Sequence, residues 1–142
     1  AVCCSEPGVD GAFSAFLAER YGNRVVERVA VPGGAWWLAR ANAARSTKVG
    51  RWVTSRVAGG LEEALRGALG QPGLEAIELL GHEGCSWYAR VAPGGGAGDV
   101  ARLQAQDLVA AAREATRWAA APVRGHFLLR EGEGYVARQV VG

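Results

Sequence analysis

Three side chains of this sequence have the types and the spacing of metal ligands. His82 and Cys85 are three positions apart, so an imidazole nitrogen and a thiolate can reach one ion from a single turn. Cys4 follows another short apolar run and can supply a second thiolate. Thiolate and imidazole ligands together favour zinc. This ligand set leaves the fourth zinc position open, which is typical of catalytic sites, where the pKa of a bound water falls to about 7.

Cysteine usage supports metal ligation over disulfide bonding. The chain has 3 Cys, an odd number, and Cys3 and Cys4 are adjacent and therefore poorly placed to bond to each other. A reducing compartment follows, and we predict a cytoplasmic location because we find neither a signal-like segment nor an apolar run of about 18 residues. No membrane contact is expected.

The composition is that of an ordinary globular domain. The chain has 142 residues, of which 49% are hydrophobic and 21% charged, so it is not a disordered sequence and is predicted to form a single domain over residues 1–142. The net charge is +2, and basic and aromatic residues are not interleaved. We therefore predict no nucleic-acid partner.

The elements that must position the ligands alternate between strands and helices. This alternation predicts an α/β fold with a mostly parallel sheet flanked by helices, in which ligands gather at the carboxyl ends of the strands. Adjacent parallel strands would bring Cys4 and His82 together, and Ser86–Val91 is expected to be strand or loop. The predicted strands are Ala1–Cys4, Val25–Val31, Leu74–Leu80, Val123–Leu129 and Tyr135–Val141, and the predicted helices are Val9–Tyr21 with Asp10 as N-cap, Ala35–Ala44, Leu61–Leu69 and Asp99–Ala120.

The segment Gly81–Cys85 has the pattern Gly-His-x-x-Cys at the end of an apolar strand, far downstream of a first strand that ends in Cys4. This arrangement resembles the beta-class carbonic anhydrases. The resemblance implies a beta-carbonic-anhydrase-like fold with zinc on Cys4, His82 and Cys85. It also implies the hydration of carbon dioxide to bicarbonate by zinc-bound hydroxide, and a homodimer or higher homo-oligomer.

The first motif departs from the family pattern Cys-x-Asp-x-Arg. Glu6 stands at the position of the family's Asp, which accepts a hydrogen bond from the zinc-bound water, and Gly8 stands at the position of the Arg that restrains the Asp. Glu6 is therefore the catalytic candidate. Alternatively, an unrestrained Glu6 binds zinc and closes the site, which gives a non-catalytic zinc protein with a binding role; a helix cap or a solvent-facing side chain are further alternatives. A distant arginine could replace the missing one, and the candidates are Arg40, Arg45, Arg51 and Arg56.

Other conspicuous residues are predicted to be structural. Cys3 points to the opposite face of its strand from Cys4 and is expected in the core. His126 lies in a late strand and is expected to have no acidic or thiol neighbour, so we expect it to be packed and hydrogen bonded. The aromatic residues expected in the core or at an interface are Trp36, Trp37 and Trp118.

Overall fold

The predicted alternation of strands and helices is present in the computed structural model, which describes residues 1–39, 59–92, 96–119 and 121–142. The fold is α/β, with a mixed five-stranded sheet flanked by helices. The strands are β1 (Val2–Cys4), β2 (Val29–Val31), β3 (Ile77–His82), β4 (Val123–Glu131) and β5 (Gly134–Val141). The helices are α1 (Pro7–Tyr21), α2 (Gly59–Leu69), α3 (Ser86–Val91) and α4 (Ala97–Thr116), and residues 36–39 are also helical.

The sheet has the strand order β2-β1-β3-β4-β5. The first four strands are parallel, and β5 returns antiparallel to β4 as a hairpin. Strands β1 and β3 are neighbours, with Val2 opposite Leu79, although they are far apart in sequence. The carboxyl ends of β1 and β3 therefore meet at one edge of the sheet, as the sequence predicted.

Helices cover both faces of the sheet because each strand sends successive side chains to opposite sides. Helices α2 and α4 pack on one face, and α1 and α3 pack on the other. The first core contains Val2, Leu65, Leu69, Ile77, Leu79, Leu108, Ala111, Ala112, Ala115 and Phe127. The second core contains Cys3, Cys4, Val9, Phe13, Leu17, Leu80, Cys85, Tyr88 and Leu128, so the predicted metal ligands sit within packed apolar surroundings.

The start of α1 differs from the prediction. The helix begins at Pro7 with Glu6 as its N-cap residue, four positions before the predicted cap Asp10. Proline suits the first helical position because its fixed φ is helical and its missing N–H has no partner to lose there. The Glu6 side chain makes no capping hydrogen bond and is free for another role. Asp10 instead pairs with Arg28 across 2.6 Å.

Two predicted strands have different bounds. The strand predicted over Val25–Val31 is only Val29–Val31, because β1 offers three residues for pairing and Val25 is 99% exposed. The strand predicted over Leu74–Leu80 begins at Ile77, where pairing with Val123 starts, and continues to His82. The last part of the helix predicted over Ala35–Ala44 lies outside the described residues.

The segment predicted as strand or loop, Ser86–Val91, is the helix α3. The ladder between β3 and β4 ends where Glu83 donates its N–H to Leu128. Gly84 then takes a φ of +75°, which turns the chain away from the sheet and starts a helix two residues later.

No helix in the described segments has the length and apolar character needed to cross a membrane.

Candidate metal centre

Four side chains meet where β1 and β3 end. Cys4, Glu6, His82 and Cys85 each place one donor atom within 4.8 Å of the donor atoms of the other three. The three predicted ligands and the predicted catalytic residue therefore lie together, in a cluster that could hold a metal ion. Glu6 is half-buried, and the other three residues are buried.

The two sulfurs fit a tetrahedral metal site. Cys4 Sγ and Cys85 Sγ are 3.8 Å apart. Because Zn–S bonds are about 2.3 Å long, two thiolates on a tetrahedral zinc ion are separated by about 3.8 Å. The distance from Glu6 Oε2 to His82 Nε2 is also 3.8 Å, a few tenths of an ångström longer than a tetrahedral edge between nitrogen and oxygen ligands. The donor set suits zinc and also other soft or borderline cations.

His82 presents its free ring nitrogen to the cluster. Its Nδ1 atom lies 3.0 Å from the backbone oxygen of Glu83. A carbonyl oxygen only accepts hydrogen bonds, so Nδ1 carries a proton and Nε2 is the nitrogen that faces the cluster. Nε2 is buried and has no hydrogen-bond partner within the described part of the chain. A buried unpaired nitrogen is unfavourable, and a metal ion would satisfy it.

The Sγ atoms of Cys4 and Cys85 are in hydrogen-bond contact, and either sulfur could be the donor. This contact, with smaller contributions from His82 and from the backbone N–H of Gly33 at 3.4 Å from Cys4 Sγ, lowers the pKa of Cys4 to about 4. The same contact with Cys4 raises the pKa of Cys85. The contact therefore favours ionisation of Cys4 over Cys85, and a bound cation would favour ionisation of both.

Glu6 is held by Ser86, the first residue of α3. Glu6 Oε2 accepts hydrogen bonds from the backbone N–H of Ser86 at 2.9 Å and from its hydroxyl at 3.1 Å. This contact was not predicted from the sequence, although Ser86 directly follows the predicted ligand Cys85. The four arginines considered as replacements lie outside the described residues. The hydroxyl and the backbone N–H of Ser86 thus restrain the Glu6 carboxylate.

The turn at Gly33 and Gly34 closes the site from the side of β1. Both residues have positive φ angles, +78° and +51°. A Cβ atom on Gly34 would lie 2.9 Å from the backbone of Cys3 and Cys4. A Cβ atom on Gly33 would lie 2.3 Å from the indole of Trp87. Only glycine lets this turn approach β1 closely enough for the Gly33 N–H to reach Cys4 Sγ.

Tryptophans pack beside this turn. The rings of Trp36, Trp37 and Trp87 lie with centroids 5.1 to 5.7 Å apart. Each of the three is partly buried, which agrees with the predicted structural role of Trp36 and Trp37. Trp118 is likewise partly buried, and the guanidinium of Arg66 lies 4.5 Å from its ring centroid.

Cys3 lies outside the cluster of Cys4, Glu6, His82 and Cys85, as predicted, but its side chain packs in the same core as Cys4 and not on the opposite face of the sheet. Its side chain is fully buried, and its Sγ atom is 3.7 Å from Arg28 Nη2. Burial raises the pKa of the Cys3 thiol, so it stays protonated at neutral pH. Cys3 is therefore a natural control for experiments on the two clustered thiols.

Gln104 fixes the end of β3 from α4. Its side chain is 2% exposed, and in the amide orientation that satisfies both groups it accepts from the His82 N–H at 3.1 Å and donates to the His82 carbonyl at 2.6 Å. Nothing in the sequence pattern distinguished Gln104 from other polar residues of this helix. It holds the backbone of a predicted ligand in the way a strand neighbour would.

Gln104→Leu is expected to lower the free energy of unfolding by about 1–3 kcal/mol for each buried backbone group of His82 left unpaired. Urea unfolding of the metal-free protein would measure this. Gln106→Leu, an exposed position on the same helix, is the matched control and should change stability by less than about 0.5 kcal/mol. Equal stabilities for the two variants would contradict the role of Gln104.

A second polar cluster surrounds Glu78 in the middle of β3. Its carboxylate is 3% exposed and lies 3.0 Å from Arg20, 3.4 Å from Arg124 and 2.5 Å from the Tyr21 hydroxyl. Its other oxygen is 2.9 Å from His126 Nε2, but neither of these two atoms has a hydrogen bond of good geometry. The expectation that His126 lacks an acidic neighbour is therefore wrong. Parallel pairing of β3 with β4 places Glu78 opposite Arg124, two residues from His126 on the same face.

Burial of His126 is expected to make the stability depend on pH. Burial lowers the pKa of His126 from its ordinary 6.5, against the opposing influence of Glu78. Below about pH 6.5, His126 is therefore protonated in a larger fraction of unfolded than of folded molecules. The free energy of unfolding falls as a result. We expect this loss to be smaller in His126→Gln than in the wild type when urea unfolding is measured between about pH 7.5 and 5.5. Identical pH profiles would remove His126 as a cause.

Comparisons with known proteins add no family assignment. No protein-family model matches the sequence, and no curated protein or solved structure matches it significantly. The resemblance to beta-class carbonic anhydrases therefore stays a prediction based on the residue pattern.

Proposed function

We propose that this chain is a zinc protein of the beta-carbonic-anhydrase type that hydrates carbon dioxide to bicarbonate. The observation that carries the proposal is the meeting of Cys4, Glu6, His82 and Cys85 within 4.8 Å at the carboxyl ends of β1 and β3. The ligand set supports zinc, and the mostly parallel sheet is compatible with the implied fold.

The residues of the cluster would have two different roles, metal binding and positioning of water. Cys4, His82 and Cys85 would hold the ion, since their donor atoms are buried and the His82 Nε2 lone pair has no other partner in the described structure. Zinc, when bound, supplies a Lewis acid that lowers the pKa of water at the ion to about 7. Glu6 is placed to accept a hydrogen bond from the reacting water, and Ser86 fixes the direction of its carboxylate.

The position of Glu6 also supports a second candidate function. Its Oε2 atom is 3.8 Å from His82 Nε2, close enough for a modest movement to make Glu6 a fourth ligand. The metal site would then be closed and structural, and the protein would be a non-catalytic relative with a binding role. The two candidates share the metal site and differ in whether Glu6 leaves a position for water.

Stopped-flow measurement of carbon dioxide hydration separates the two candidates. The protein should carry one zinc per chain and be assayed between about pH 7 and 9, where water at zinc ionises. For the enzyme, we expect a rate above buffer that is lost in Cys85→Ala and reduced in Glu6→Gln. For the closed site, the wild type is inactive at full zinc occupancy, and Glu6→Gln opens the site to water or small anions. Full zinc occupancy without carbon dioxide hydration would refute the proposed enzymatic activity.

Ser86→Ala tests the positioning of Glu6. The hydroxyl hydrogen bond is lost while the backbone N–H of residue 86 still donates, so the carboxylate is only partly released. We expect a decrease of about tenfold in kcat or in zinc affinity, as is typical of an outer-shell contact. Ser14→Ala, whose hydroxyl contacts lie on the surface of α1, is the matched control. Unchanged kcat and zinc affinity in Ser86→Ala would contradict the restraint.

The proposal includes assembly into a homodimer or larger oligomer. Strand β5 is an edge strand of the sheet, and its Val136 and Val140 are 43% and 37% exposed. An edge strand with exposed apolar side chains favours pairing with another strand. Sedimentation equilibrium of the zinc-loaded protein would test the expected mass of at least two chains, and a single-chain mass would refute assembly.

A further inference from the structure

The sulfurs of Cys4 and Cys85 are in contact. They lie 3.8 Å apart and both side chains are buried, with 3% and 0% of their surface exposed. A disulfide bond is about 2.05 Å long, so the two sulfurs would have to approach by a little less than about 2 Å. Both residues are free thiols in the structure.

The required movement falls outside the sheet. Cys4 ends β1, whereas Cys85 follows β3 in the turn that contains Gly84 with a φ of +75°. A Cβ atom placed on Gly84 would meet nothing within 4 Å, so the turn has open space around it. The turn that leads into Cys85 is therefore open beside Gly84.

We propose that Cys4 and Cys85 form a disulfide when the site holds no metal, so that metal binding and oxidation are alternative states of the same cluster. The metal half of this inference rests on the proposed function, and the thiol half rests on the distance between the sulfurs alone. A cation held by both sulfurs occupies the electron pairs that oxidation uses. Bound metal therefore protects the thiols, and the disulfide prevents metal binding.

The oxidant class is a small hydroperoxide. One cysteine sulfur attacks the peroxide oxygen and breaks the O–O bond, which gives a sulfenic acid and, with hydrogen peroxide, one water. The second sulfur then attacks the sulfenic sulfur, forms the S–S bond and releases a second water. Two thiols are oxidised by two electrons in total and one peroxide is reduced. A thiol reductant returns the disulfide to the dithiol.

Cys3 does not compete for this bond. Its sulfur lies beside Arg28 and outside the cluster, although it is adjacent to Cys4 in sequence. Adjacent cysteines bond poorly to each other. The position offers a matched control, since Cys3→Ala removes one buried thiol without touching the reactive pair.

Mass spectrometry of the wild-type protein tests the inference. Metal-free protein treated with one equivalent of hydrogen peroxide should lose about 2 Da, reversibly with a thiol reductant, and peptide mapping should find Cys4 linked to Cys85. Cys3→Ala should behave identically. Zinc-loaded protein should form the disulfide at least about tenfold more slowly.

Each other result overturns part of the inference. A bond to Cys3, sulfinic acid without a disulfide, or no loss of mass would refute the reactive pair. Equal oxidation rates with and without zinc would refute the exclusion of disulfide by metal. Disulfide formation in a protein that never binds zinc would refute the proposed function while the thiol pair stands. Zinc binding without any disulfide formation in the metal-free protein would refute the reactive thiol pair and leave the proposed function standing.

Discussion

Cys85→Ala is expected to weaken metal binding by well over a hundredfold, whereas Cys3→Ala leaves the affinity within a few-fold of the wild type. Loss of an outer-shell contact alone weakens metal sites by roughly 10–100-fold, and loss of a direct thiolate ligand exceeds that. The two cysteines are equally buried, but only Cys85 lies in the cluster with Cys4 and His82. Competition of the protein with a chromophoric chelator for zinc would measure both affinities.

Stability must be separated from ligation in this comparison. Cys85 is fully buried, so Cys85→Ser, which keeps its size, should accompany Cys85→Ala. Urea unfolding of the metal-free variants would show whether they remain folded. A folded Cys85 variant with wild-type zinc affinity would exclude Cys85 from the ligand set, and the loss of affinity in Cys3→Ala would place the site elsewhere.

Gly34→Ala is expected to destabilise the protein by about 2–5 kcal/mol and to disturb the metal site as well. Gly34 has a φ of +51°, where a Cβ atom adds roughly 1–2 kcal/mol of strain. That atom would also lie 2.9 Å from the backbone of Cys3 and Cys4, and such overpacking adds about 1–3 kcal/mol. The backbone that must yield is the end of β1, which carries the predicted ligand Cys4.

Gly11→Ala is the matched control for this effect. Gly11 lies inside α1, and a Cβ atom there would meet nothing within 4 Å. Alanine in a helix interior should stabilise the protein by about 0.5–1 kcal/mol. The free energy of unfolding in urea should therefore fall in Gly34→Ala and rise in Gly11→Ala. The zinc affinity should fall only in Gly34→Ala. An increase in the free energy of unfolding of Gly34→Ala, as in Gly11→Ala, would show that the turn tolerates a side chain.

The residues of the candidate metal site were predictable because their chemistry is local. The pair His82 and Cys85 sits within one turn, and the apolar runs that end in Cys4 and His82 are short strands in the structure. Alternation of apolar runs with helical periodicity also predicted the α/β class. These features depend on side-chain type and on spacings of a few residues, which sequence records directly.

The contacts that support the site were not predictable from spacing. Ser86 donates hydrogen bonds to Glu6, which lies 80 positions away in the sequence. Gln104, in α4, hydrogen bonds to the backbone of His82 at the end of β3. The neighbour of His126 is Glu78, set by the register of β3 against β4. Each of these partners is an ordinary polar residue within its own segment, so its role appears only when the segments pack.

The sequence by itself therefore determined the candidate donors Cys4, His82 and Cys85 and the alternation of strands and helices. Only the tertiary structure decided that the donors converge within 4.8 Å, that Ser86 holds Glu6, and that a glycine turn presses against β1. The physical reason is that ligand chemistry belongs to the individual side chain. Convergence and restraint depend on strand order, register and helix docking, which arise from interactions between residues far apart in the chain.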